Sequence, residues 1–277
     1  MPRQFFAMLR VELLKVFSRF SGWATLLMAI FVPLVTLGFL HLINGSATTS
    51  TVQGHTSMGL NSFDLVSAMK WCMRSRNVLL LPLLLTLATA LSVSGERSER
   101  TLRELLVRPV PRWSVLAAKQ LALWALSATS IVVSLATTLA VGYWLFGGPA
   151  MDQSVADPDE SLNRAILGFL LCFVSDVALI GLATALATFV SSVGGVVIAL
   201  AFTLILDLFG YALLNLLAMV GNMSWAGTAS HYTLVSLLTV WDHWMDEFNP
   251  VQFAEVFGFI ALVWAIGIAR FSRTDVP

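Results

Sequence analysis

Gly22–Ile43 is a stretch of 22 residues with no Asp, Glu, Lys or Arg in it. At about 1.5 Å per residue a helix of that length reaches about 33 Å, enough to cross the hydrocarbon core of a bilayer. Five further stretches of similar character follow, at about 77–94, 115–146, 164–190, 193–220 and 251–269. Charged residues make up only 12% of the chain against about 25% in ordinary globular proteins, while 57% are apolar. The expected fold is therefore all-α: one polytopic membrane domain over residues 1–277 with six transmembrane helices. The span at 115–146 is longer than a bilayer needs, so its Lys119 end is expected to project into the cytosol.

The connections between these stretches differ in character. Residues 2–20 read as an amphipathic helix, with Phe5, Leu9, Leu13, Val16, Phe17 and Phe20 on one face and Arg3, Arg10, Glu12, Lys15 and Arg19 on the other. That pattern suits either the headgroup boundary of an anionic leaflet or packing against a partner. Residues 44–61 read as an exposed loop, 62–76 as a short surface helix, and 147–163 as an acidic loop. Only a tight hairpin around Ser191 and Ser192 separates the fourth and fifth spans. Residues 222–250 mix tryptophans with acidic residues around an apolar core, Tyr232–Val240, too short to cross; this outer segment reads as short interfacial or re-entrant helices. No small-residue cleavage pattern follows the basic N-terminal stretch, so no cleaved signal peptide is expected.

Residues 95–112 are the densest run of charge. Between Glu96 and Arg112 lie five arginines and three glutamates. Thr101 and Glu104 are spaced as a capping box, in which each side chain satisfies a free backbone N–H at a helix start. Leu102, Leu105 and Leu106 give the short helix one apolar face, and Pro109 and Pro111 end it. On the residues alone, the segment is either a docking peg for a partner or a solvated loop that only fixes topology.

The order Glu96 or Glu99, Thr101-Leu102, Leu105-Leu106, Pro109, Arg112, Lys119 resembles the signature of ABC-2 type permeases, the membrane-domain family of type V ABC exporters. Arg100 departs from it, since a glycine is common before the threonine. The interface helix, the six spans and the short helices before the sixth resemble the family layout too. The resemblance implies a cytoplasmic coupling helix between spans two and three, set in a cleft of an ATP-hydrolysing subunit. It places the ATPase-coupling role on Glu96, Glu99, Arg100, Thr101, Leu102, Glu104, Leu105, Leu106, Pro109, Arg112 and Lys119. It also implies two partners besides membrane lipid: a cytosolic ABC ATPase carrying ATP and Mg, and a second permease subunit, identical or different.

Basic residues orient the chain. With both termini and the 95–119 segment on one side, that side holds twelve Lys and Arg, against four opposite, Lys70, Arg74, Arg76 and Arg164. The positive-inside rule then makes it the cytoplasmic side, in a bacterial inner membrane. No phosphate-binding loop, zinc-protease or nucleophile-elbow motif occurs, so neither catalytic residues nor a metal site nor a cofactor is expected in this chain. Zero net charge gives no reason to expect nucleic acid.

Asp176 and Asp207 fall deep inside spans, where a charge is costly and faces a bundle interior or a wet cavity. They, with Asn215, read either as walls of a translocation path or as structural hydrogen-bonding groups. The reading is thus an exporter permease driven by a separate ATPase, its substrate unspecified. The alternatives are a proton-coupled transporter working through the two aspartates and a scaffold that recruits a cytosolic protein.

Overall fold

The computed structural model describes residues 2–47, 65–78, 80–96, 111–147, 158–190, 192–220, 223–239 and 250–273. They are almost wholly helical, and no strand occurs among them. In chain order the helices are α1 (Pro2–Ser18), α2 (Phe20–Ala47), α3 (Leu65–Val78) and α4 (Leu80–Ala90), then a π-helical turn at Leu91–Gly95. There follow α5 (Arg112–Phe146), α6 (Pro158–Phe189), α7 (Val193–Val220), α8 (Ser224–Ser230), α9 (Leu234–Leu238) and α10 (Pro250–Arg273). Six candidate membrane spans result: Phe20–Ile43, Leu65–Gly95, Trp113–Phe146, Leu162–Phe189, Val193–Val220 and Ala254–Ser272. The chain is a multi-pass, all-helical membrane protein. The helix expected over Thr101–Arg108, with Glu99, Arg100, Leu102, Glu104, Leu105, Leu106 and Pro109, lies outside the described residues, as does the side chain of Arg112.

Two boundaries differ from expectation. The surface helix read over 62–76 is instead the first part of the second span, α3. Leu65, Val66, Met69, Cys72 and Met73 line one face of α3 and pack with Leu37, Ile131 and Phe169 from the neighbouring spans. That burial outweighs the local polarity of Lys70, Arg74 and Arg76. The acidic loop is also shorter than expected, because α6 already begins at Pro158. Proline suits a first helical position.

The buried core of the described residues falls into several clusters along the bundle. In the half of the bundle away from the charged segment, α2, α3, α5 and α6 meet around Leu37, Met69, Ile131 and Phe169. Towards the charged segment, Val16 of α1 joins Leu85, Leu123, Leu126 and Ile180. The apolar face of α1 (Leu13, Val16, Phe17) thus packs on the chain's own spans, and Phe6, Val11 and Leu14 remain exposed on its other side. The small-residue run Gly181–Ala187 lets α6 and α10 approach closely: a Cβ on Gly267 would lie 3.6 Å from the backbone of Ala185. By contrast α7 turns most of its apolar side chains outward, Phe202, Leu206, Phe209 and Leu213 among them.

Candidate functional site

Glu96 immediately follows the second span and Lys119 lies in the second turn of α5, so the two residues stand at the roots of the charged segment. The fold brings them together. Lys119 Nζ donates to Glu96 Oε2 at 2.5 Å and to Glu12 Oε2 at 3.0 Å. Lys15 Nζ donates to the other oxygen of each carboxylate, Glu12 Oε1 and Glu96 Oε1, both at 3.2 Å. The four side chains form a closed ring of alternating charge. Glu12 and Glu96 are 2% exposed and Lys119 1%, so the ring is buried in the bundle. Burying such charges is tolerable only because every one is paired.

Burial alone would push the Glu96 carboxyl up. The charge and hydrogen bond of Lys119, then those of Lys15, outweigh burial and hold Glu96 below the ordinary carboxylate range. Burial likewise works against the Lys15 ammonium. The charges of Glu12 and Glu96, with their hydrogen bonds, leave its pKa raised instead. Glu96 and Lys15 therefore hold their charges across the neutral range.

The chain reaches this ring through an irregular helix end. Span two stops being α-helical at Leu91 and finishes as a π-turn, a form frequent at functional sites. Ser94 Oγ in that turn donates to the Val190 carbonyl at 2.9 Å, with the Ala187 carbonyl at 3.2 Å, so it satisfies the C-terminal end of α6. On the opposite side Arg19 reaches the Leu91 carbonyl with Nη1 at 3.3 Å and Glu96 Oε1 with Nη2 at 3.4 Å. The root of the charged segment is consequently fastened to α1, α5 and α6 together.

A second buried polar node lies deeper. Arg76, fully buried, donates from Nη2 to Asp176 Oδ2 at 2.7 Å and to Ser130 Oγ at 3.3 Å. Its Nη1 donates to Asn77 Oδ1 at 2.6 Å, and Ser127 Oγ donates to the same Asp176 oxygen at 2.6 Å. The node joins spans two, three and four. A residue matching family profile decides what this bundle is: the profile described as ABC-2 family transporter protein matches residues 8–210, most of the chain and both polar nodes.

The chain belongs to the ABC-2 transporter family.

No curated protein matches it. Within this ABC-2 family transporter protein, the site residues read from sequence that fall among the described residues have different surroundings. Glu96 and Lys119 meet in the ring. Asp176 is held by Arg76, whereas Asp207 does something else: midway along α7, its Oδ2 accepts the backbone N–H of Val235 at 2.6 Å, at the start of α9. Gly227 of α8 lies against Ala218, so residues 223–239 fold back along α7 for about 16 Å, eleven residues at the helical rise. Asn215 donates to the Tyr211 carbonyl of its own helix at 2.9 Å.

Sequence reasoning left Glu12, Lys15 and Arg19 as members of a solvated helix face and Arg76 on the surface. One signal was present for Arg76. An aspartate inside span four needs a cationic or hydroxyl partner at similar depth, and Arg76 borders the apolar run of span two. No spacing rule connects Glu12 to Lys119, which are 107 residues apart.

Proposed function

We propose that this ABC-2 family protein is the membrane-spanning subunit of an ATP-driven exporter, moved by a separate cytosolic ATPase that binds the 95–112 segment. The observation that carries this reading is the meeting of Glu96 and Lys119 in one buried ring with Glu12 and Lys15. A segment pressed by a partner needs roots that do not slip. Here both roots are tied to each other and to α1 by buried ion pairs, so a displacement of the segment is delivered to spans two and three as a unit. ATP and Mg belong to the partner's site in this account, and a second permease subunit completes the path.

The rival proton-driven reading finds little support. Asp176 faces a guanidinium at 2.7 Å and Asp207 accepts a backbone N–H at 2.6 Å, so each carboxylate has a structural partner. We place the chain in a cell inner membrane with both termini cytoplasmic. The sequence asymmetry of twelve Lys and Arg against four supports this orientation.

The deciding experiment is co-expression of the tagged permease with phosphate-binding-loop ATPases from the same genome, one of which is expected to be its partner. Recovery of that ATPase with the tagged permease is the expected result. Absence of any recovery, together with transport that follows the proton gradient alone, contradicts the reading.

A further inference from the structure

Arg19 is the single residue between α1 and α2, and the chain bends there. The bend is tight. A Cβ added at Gly22 would lie 2.1 Å from the carbonyl oxygen of Val16, so α2 leaves against the end of α1 with room for glycine only. At this elbow the Arg19 guanidinium points away from both helices that flank it. It spans two acceptors on span two: the Leu91 carbonyl at 3.3 Å, where the π-turn begins, and Glu96 at 3.4 Å, where it ends. A guanidinium presents several N–H groups in a fixed fork and can hold both ends of a turn at once, which a lysine ammonium does far less well. The ring of Glu12, Lys15, Glu96 and Lys119 fastens α1 to the same turn but has no member on α2. Arg19 stands where α1 passes into α2.

We infer that Arg19 is a positioning residue that latches the α1–α2 elbow to the π-turn of span two, so that the first span follows the root of the 95–112 segment. Helices kink at π-turns, which are frequent at functional sites, and Arg19 contacts this one at both ends. When the turn moves or rewinds, the elbow moves with it, and the head of α2 is carried along. Span one thereby joins spans two and three in the motion, although it has no covalent neighbour in the segment. The latch itself is a property of this chain alone; its use in transport rests on the coupling role proposed above.

The test reads the elbow directly. Spin labels at positions 7 and 27, on exposed faces of α1 and α2, report the elbow, and labels at 83 and 121, on α4 and α5, report the core. In the permease alone in phospholipid nanodiscs, Arg19→Gln is expected to shift and broaden the 7–27 distance distribution and to leave the 83–121 distribution as it was. A 7–27 distribution identical to wild type overturns the latch. If Arg19→Gln disturbs the core pair as well, Arg19→Lys decides, since it keeps the charge and loses the fork: an unchanged 7–27 distribution there also overturns it. In the complex with the ATPase, trapping with Mg-ATP and vanadate should move the 7–27 distance in wild type and not in Arg19→Gln, with equal ATPase recovery. Equal movement in both, or none in wild type, overturns the transmission role. Failure of the ATPase to co-purify with wild type sinks the coupling reading instead, and the nanodisc measurement then judges the latch by itself.

Discussion

Arg76 and Asp176 are one hundred residues apart in sequence and 2.7 Å apart in the bundle. The pair closes inside the membrane, with Ser127 and Ser130 of α5 and Asn77 of α3 adding contacts, so spans two, three and four share one buried node. Together with the Glu12–Lys15–Glu96–Lys119 ring, it fixes span two to span three at two levels.

Breaking that pair on one side should be costly, and removing it whole should not. Arg76→Met leaves Asp176 buried without its cation, at a cost of about 3–5 kcal/mol. The double variant Arg76→Met, Asp176→Leu is expected to recover most of this, because an apolar replacement of a buried pair is often neutral. Thermal unfolding of the purified variants in detergent checks it. A double variant less stable than either single one would contradict the account.

The ring predicts a pH profile. The pKa of Glu96 is lowered in the fold, so its contribution is present above the unfolded value near about 4.3 and is lost as pH falls through the lower, folded value. The pKa of Lys15 is raised, so its contribution is complete below about 10.4 and is lost as pH rises through the folded value. Stability from these two groups should be flat through the neutral range and fall at both extremes. Glu96→Gln should lower the plateau and weaken the acid limb, read as midpoint temperature against pH. An acid limb of undiminished steepness in Glu96→Gln would assign it to other carboxylates.

Asp207→Asn should leave the fold nearly unchanged, because an amide oxygen can still accept from the Val235 N–H. Asp207→Leu leaves that N–H without its partner, at a cost of about 1–3 kcal/mol. Loss of transport in a stably folded Asn variant would instead mean that the charge itself is needed.

Orientation is open to labelling. Cysteine reporters at 104 and 272 should react with an impermeant maleimide only from the cytosol, and one at 155 only from outside. The native Cys72 and Cys172 are buried and do not compete. Reaction of residue 155 from the cytosol would refute the proposed orientation.

Most of the helical layout was legible because uninterrupted apolar length is a strong signal with a single physical cause, the thickness of the bilayer. The second span was read short for the same reason. Lys70, Arg74 and Arg76 lower the local hydropathy of 65–78, although Leu65, Val66, Met69, Cys72 and Met73 already recur with helical spacing. The candidate site was legible only at Glu96 and Lys119, which resemblance to a motif picked out. Their partners Glu12 and Lys15 come from α1 and Arg19 from the elbow after it, and the pairing depends on how α1 packs on the spans, which no local pattern encodes. Asp176 and Asp207 looked alike in sequence; a guanidinium and a backbone N–H distinguish them only once the helices are packed.

The coupling role of the 95–112 segment is tested most directly by recovery of the ATPase with two permease variants. If Leu102, Leu105 and Leu106 form the docked face, Leu105→Asp places an unpaired carboxylate in the partner's cleft, a cost of several kcal/mol. Arg97→Ala removes at most an exposed contact worth about 1 kcal/mol or less. With membrane insertion equal in all samples, the account predicts that the ATPase is lost from Leu105→Asp and retained by Arg97→Ala. Normal ATPase recovery with Leu105→Asp, and normal transport, would contradict it.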